Sequence, residues 1–368
     1  MSEVSFVSLS TEVYGAESSL LALCQNMPAR VFAPAGDFLD LVRSAGVPSR
    51  EIHDPAVLAL RSIGVERRPR QVLGRIRRAA RGLQSLDLWR GGVVSFSQWL
   101  NPSLALAARR RGVPVVLDMH DGPFTRIGRA VQLASVRLSD GAIFVSETTR
   151  QAVLGRSSLH RRSAVVHRPV EVHSAPAAAR STDGSRPLDV VYAGRLDAEK
   201  RVDLLLDVSG RLRDRVRVTV VGEATHAGRS AAMLAEAYPH VRFLGRRSRT
   251  DTLDVIAASD VLVSPARGEA FGRTVYEAAL LGLASVVDSS ADAARAVTHG
   301  SSGWVLGDER PWSMLGSLLV DLESDRQLVR EVGTEARSVL GPLVDSDHVR
   351  ARYWEVVSDF FASSGHHR

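Results

Sequence analysis

The stretch "GRLDAEKR", running from Gly194 to Arg201, holds two cations of different chemistry, Arg195 and Lys200. A planar guanidinium can grip two phosphate oxygens at once, whereas an ammonium is a compact charge on a flexible stem that can follow one oxygen as charge develops on it. Lysine and arginine together number 47, and Lys200 is the only lysine among them. A chain that meets nearly every need for positive charge with arginine, yet keeps one ammonium beside a Gly-Arg turn, points to a phosphate contact that arginine would not fit. The competing reading of a lone lysine is a surface residue kept by chance. Its place directly after the turn favours phosphate.

Further along, "SPARGEAFGRTVYEAALLGLASVV" carries Glu269 in a loop and Glu277 beyond it. An ionised carboxylate accepts hydrogen bonds at two oxygens, so one can hold the paired hydroxyls of a ribose and another the hydroxyls of a second sugar. A helix starting near Arg273 places Glu277 about one turn inside it, and the loop from Gly268 to Gly272 offers backbone amides at its start. Equally, the two glutamates could be helix-start acids favoured by the dipole.

Such groups need a rigid frame, and the chain supplies the pattern for one. Short β-branched runs ending in Gly, Ser, Pro or Asp alternate with longer amphipathic stretches, as in parallel strands joined by helical crossovers. One series comprises residues 3–10, 29–34, 92–98, 113–121, 141–146 and 163–169; a second comprises 188–195, 215–222, 240–245, 260–265 and 284–290. Between them "HSAPAAARSTDGSRP" has no hydrophobic period and reads as a linker. The expected organisation is an N-terminal domain over 1–173, a linker over 174–187, a C-terminal domain over 188–345, and a closing amphipathic helix over 346–368 that packs back on the N-terminal domain. In the second domain, "VVYAGRLDAEKRVDLLLDV" reads as a buried strand, a glycine turn and a helix beginning between Asp197 and Lys200. That would set Arg195 and Lys200 beside unpaired N–H groups and the positive end of a helix dipole.

"GRLDAEKRVDLLLDV", "GEAFGRTVYEAALLGLASVV" and the "VSETTRQAVL" that follows a "DMHD" strand end together resemble the retaining glycosyltransferases of family 4, also described as glycosyl transferases group 1, in order and spacing over nearly the whole chain. The resemblance implies an α/β GT-B fold of two facing, doubly wound Rossmann-like domains. It also implies transfer of a sugar from a UDP- or GDP-linked donor with retention at the anomeric carbon, and no metal or other cofactor. Carried onto this chain, it implies that Arg195 and Lys200, with Gly194 in their turn, bind the donor diphosphate and stabilise its departure, and that Glu277 holds the ribose. Glu269 and the amides of Ala270, Phe271 and Gly272 would contact the transferred sugar, which His120 approaches from the N-terminal domain. Gly15, in "EVYGAESSL", matches a glycine loop near the diphosphate and acceptor. The chain departs from the family where Tyr14-Gly15 replaces a common double glycine, and where Ala291-Asp292 and Arg295 replace a Gly-Gly and a later Glu. The acceptor, from a lipid-linked glycan to a small metabolite, is left open. Two other readings are a nucleotide-sugar epimerase of the same architecture and a non-catalytic module for anionic lipid or nucleic acid.

Composition bounds the partners. The net charge of +6 and the pI of about 10.1 favour something anionic. Residues 61–83 carry eight arginines against the single acid Glu66. Arg67, Arg68, Arg70, Arg75, Arg77, Arg78 and Arg81, with Val72, Leu73, Ile76, Ala79, Ala80 and Leu83 between them, fit either a basic amphipathic helix on anionic lipid or a solvated helix packed on the N-terminal sheet. Nucleic acid is disfavoured, because no recognisable module and few interleaved aromatics accompany the arginines. Asp345-Ser346-Asp347 and Ser146 with Thr149 read as helix-start residues, and the eleven histidines lack ligand spacing, so no metal site is expected. The single cysteine, Cys24, and the lack of a secretory pattern at "MSEVSFVSLS" lead to an expected cytoplasmic location, with any membrane contact peripheral, at the inner face.

Overall fold

The computed structural model describes residues 3–65, 69–122, 125–172, 186–224, 229–307 and 312–364. They form two compact units: Met1–Pro169 together with Ser346–Arg368, and Val170–Asp345. Each is built on one all-parallel sheet.

In the first unit the strands are β1 (Val4–Val7), β2 (Ala29–Ala33), β3 (Ser49–Glu51), β4 (Val93–Ser95), β5 (Val115–Met119), β6 (Gly141–Phe144) and β7 (Ser163–Val165), ordered β3-β2-β1-β4-β5-β6-β7. Successive residues feed opposite layers: Val115 and Leu117 enter one buried cluster, and Val116 enters the other. That is why these strands read as continuous apolar runs; both faces are covered by helices. The final helix, Ser346–Ser363, belongs to the second layer through Val349, Tyr353, Trp354, Val356 and Val357. The Trp354 indole donates to the Leu23 carbonyl at 2.8 Å, and Arg350 Nε donates to that of Ala22 at 2.8 Å.

In the second unit the strands are β8 (Leu188–Ala193), β9 (Val216–Val221), β10 (Arg242–Phe243), β11 (Val261–Ser264), β12 (Ala284–Asp288) and β13 (Trp304–Leu306), ordered β10-β9-β8-β11-β12-β13. The strand order reverses between β1 and β4 in the first sheet and between β8 and β11 in the second. In doubly wound sheets, ligands bind at the carboxyl ends of the strands beside such reversals.

The structure adds to the sequence reading at three points. The edge strands β3 and β13 are not foreseen, since three residues are too few to show a period. The basic segment divides into a 3-10 stretch, Ala59–Val65, and a helix, Pro69–Gln84. In that helix Ile76, Ala79, Ala80 and Leu83 are buried in the unit's own core with Val72 packed against them, so its apolar side is not available to lipid. Arg70, Arg77, Arg78 and Arg81 are exposed around Leu73, and Arg75 turns back to donate to Ser62 Oγ at 2.7 Å; Arg67 and Arg68 lie outside the described residues. Most of the expected linker also lies outside them. Its end does not: Arg186 grips Asp260 with both Nη atoms, at 2.8 and 2.7 Å.

Candidate active site

The turn after β8 is tight because two strand exits approach each other closely. Gly194 N–H donates to the Val221 carbonyl at 3.0 Å, and Gly222, at φ +143°, sits so near that a Cβ there would lie 1.8 Å from the Gly194 oxygen. A 3-10 turn, Ala198–Lys200, follows, and Arg201 closes it in the left-handed region at φ 52°. The α-helix starts only at Asp203, later than expected, so Lys200 stands on the 3-10 turn ahead of it. Arg201 is held by Asp288 at 3.2 Å, and Asp288 also accepts from Trp312 Nε1 at 2.8 Å and Ser290 Oγ at 2.5 Å. Burial alone would raise the Asp288 carboxyl; the Ser290 hydrogen bonds lead the contacts that overcome it and hold it below its usual range.

Lys200 Nζ donates to Glu269 Oε2, both side chains being about one fifth exposed. This pair joins the exits of β8 and β11, the two strands at the sheet's reversal. Arg195 lies in the same turn and pairs with Asp197 and, at 3.0 Å, with Glu199. Glu199 is 59% exposed, and an exposed pair is worth about 0–1 kcal/mol, so an incoming phosphate could displace it at little cost.

Glu269 is anchored through its backbone, its carbonyl accepting from Asp292 N–H at 3.0 Å. The loop then runs through Ala270 and Phe271 to Gly272, which precedes the helix Arg273–Leu280 in the left-handed region at φ 74°. The Phe271 ring is buried, stacked on Tyr276 at 4.7 Å between centroids, so this residue turns its ring to the core. Glu277 is buried one turn into the helix. Its Oε1 accepts from Arg249 Nη1 at 2.7 Å and Arg273 Nε at 3.1 Å.

In the first unit, His120 follows β5 and Gly15 opens the helix Gly15–Cys24 after β1. His120 packs against Phe96, ring centroids 4.0 Å apart, and its Nε2 is buried 3.4 Å from Asp118 Oδ1 without a hydrogen-bond partner. Asp118 is fully buried, accepting from Arg168 Nη2 and, at 2.6 Å, from the Tyr353 hydroxyl. Burial and the nearby Arg168 charge hold the imidazole well below its usual range, so His120 is neutral near pH 7. An imidazole of that kind can donate or accept a hydrogen bond but brings no charge to a sugar.

Residues 13–174 match the family described as Glycosyltransferase Family 4, and residues 187–322 match the one described as Glycosyl transferases group 1. The chain belongs to this glycosyltransferase family. A D-inositol 3-phosphate glycosyltransferase of Jonesia denitrificans is 31% identical over 160 residues, covering 40% of this chain and 38% of the relative. One from Mycobacterium marinum is 26% identical over 305 residues, covering 73% and 65%. The chain thus spans less than two thirds of the length of these relatives. Among solved structures, Anabaena Alr3699/HepE in complex with UDP and glucose superposes with a TM-score of 0.76 at 18% identity, covering 97% of this chain and 100% of that one. Sucrose-phosphate synthase from Thermosynechococcus elongatus gives 0.78 at 13% identity, covering 99% and 100%. What is shared at such identities is the fold, GT-B.

Several residues that shape the site are not singled out by the sequence. Arg249 and Arg273 occupy Glu277, Asp288 restrains Arg201, and Asp118, Arg168 and Tyr353 surround His120. Only Asp118 carried a signal, an acid inside the otherwise apolar run "VPVVLDMHD", since a buried charge implies a partner.

Proposed function

We propose that this glycosyltransferase moves a sugar from a UDP- or GDP-linked donor to a hydroxyl acceptor with retention at the anomeric carbon, and that it does so without a metal ion. The observation that carries the reading is the Lys200–Glu269 pair, which joins the exits of adjacent strands where ligands bind in such sheets. Breaking the bond from the anomeric carbon leaves charge on the diphosphate, and Lys200 and Arg195 are the groups placed to neutralise it. On donor binding, the ammonium exchanges Glu269 for a phosphate oxygen, and the freed carboxylate accepts from the sugar hydroxyls. The backbone amides of Ala270 to Gly272 add donors to the same sugar. Glu277 receives the ribose while Arg249 and Arg273 fix its orientation.

The UDP in the Anabaena structure supports a uridine donor, and the relatives named for D-inositol 3-phosphate make that compound the first acceptor to try. The exposed arginines Arg70, Arg77, Arg78 and Arg81 would draw the first unit to an anionic bilayer by charge alone, as for an enzyme on the cytoplasmic face.

The test is to incubate the purified protein with UDP-glucose or GDP-mannose, D-inositol 3-phosphate and EDTA, and to assign the product linkage by NMR. The expected product keeps the donor's anomeric configuration. An inverted linkage contradicts retention, and turnover that EDTA abolishes and magnesium restores contradicts a metal-free reaction.

A further inference from the structure

The first unit holds a cavity of about 670 Å³ at the amino ends of β5, β6 and β7, the opposite edge of that sheet from His120. Arg109, Arg137, Arg161 and Arg162 line it, and the Phe360 ring of the final helix forms part of its wall. None of these four guanidiniums has an ion-pair or hydrogen-bond partner among the described residues. Elsewhere in this arginine-rich chain, many guanidiniums do have acid partners, as with Arg186 on Asp260, Arg217 on Asp189 and Arg215 on Glu323.

A simpler account would make the arginines counter-charges to helix ends, since Arg109 and Arg137 lie in the last turns of Asn101–Arg111 and Arg126–Leu138. The magnitudes do not balance. A helix carboxyl end carries roughly half a negative charge, and the only acid in the lining is Asp140, whose Oδ2 accepts from Val115 N–H at 2.8 Å. Two helix ends and one carboxylate leave about two of the four positive charges uncompensated. The volume lies within the range of small-molecule sites.

We propose that this cavity is a ligand site for a dianionic phosphate monoester, with the phosphate held by the arginines and an apolar body against Phe360. Guanidinium forks suit that group because each can bind two of its oxygens. The site is independent of the donor-site reading, since all its lining residues belong to the first unit and none has a role in sugar transfer. The monoester could be a free metabolite or the headgroup of a membrane lipid.

Hydrogen–deuterium exchange of the full chain tests the proposal, with phenyl phosphate as the soluble probe and phosphatidylcholine vesicles carrying phosphatidic acid as the lipid probe. Phenyl phosphate is expected to protect residues 109–115, 137–141 and 158–165. Titration should show binding at least tenfold weaker in Arg161→Gln/Arg162→Gln, and unchanged in Arg211→Gln/Arg213→Gln, which removes equal charge from exposed positions of the other unit. Protection of the same segments by vesicles alone, lost in the first variant, supports the site and assigns it to a lipid headgroup. No protection by either probe, or protection equal in both variants, overturns the proposal.

Discussion

Lys200 and Glu269 neutralise each other across two strand exits, and that explains how the ammonium is held in place on the 3-10 turn ahead of the helix Asp203–Ser209. An arginine at this position would carry the same charge on a broader, stiffer group. We therefore expect Lys200→Arg to lower kcat by about 10²- to 10³-fold, the range seen when one transition-state donor is lost, with circular dichroism unchanged. Retention of full kcat would mean that only the charge matters. His120 makes a second point at this scale. Its native pKa lies well below the ordinary 6.5, so the unfolded chain binds the proton first as pH falls, and the stability contributed by the neutral ring is present above 6.5 and lost as pH falls through the lowered value. An NMR titration should find the His120 ring unprotonated at pH 6.5; a midpoint at or above 6.5 would show that Arg168 and burial do not govern it.

At the scale of elements, the final helix is fixed to the first unit by close contact with backbone. A Cβ built on Gly141, the first residue of β6, would meet the Phe360 ring at 2.3 Å. Gly141→Ala should destabilise the protein by about 1–3 kcal/mol, the usual cost of overpacking. Phe360→Ala should cost less in that background than in the wild type; additive losses in urea denaturation would show the two sites to be uncoupled. The same scale shows what could be read in advance. The central strands were legible because burial on both faces leaves unbroken apolar runs, as in "GAIF" and "VLVS". β3, with the sequence "SRE", was not, because an edge strand of three residues satisfies its hydrogen bonds on one side and needs no apolar pattern. The late start of the helix after Lys200 was hidden for another reason. A left-handed arginine is unfavourable by itself, and Arg201 is held there by Asp288, which comes from β12, far along the chain.

For the whole molecule, the second unit is tied together at one buried carboxylate. Asp260 accepts both Nη atoms of Arg186, Arg326 Nη1 at 2.6 Å and the Asp189 N–H at 2.9 Å, linking the chain before β8 to the helix Arg326–Leu340. Burial would raise this carboxyl, but the Arg186 hydrogen bonds and the charges around it outweigh burial and lower it below 3.8. With the native value depressed, the stabilisation is complete above 3.8 and is lost as pH falls further. Asp260→Asn should cost about 3–5 kcal/mol at pH 7, because it leaves the buried Arg326 guanidinium without its carboxylate, and should flatten the acid limb of stability. Equal slopes for variant and wild type below pH 4 in urea titrations would contradict this. The sequence displayed the turn with Arg195 and Lys200 and the spaced Glu269 and Glu277, and nothing of this network, since ion pairs between distant segments leave no local spacing.

The central claim is that the turn bearing Lys200 and the loop bearing Glu269 form the nucleotide-sugar site. Calorimetric titration of the protein with UDP and GDP in EDTA, repeated on Lys200→Ala, tests it most directly. The account predicts saturable binding of one nucleotide, weakened at least tenfold in the variant. Binding of neither nucleotide, or equal binding by wild type and variant, would contradict it.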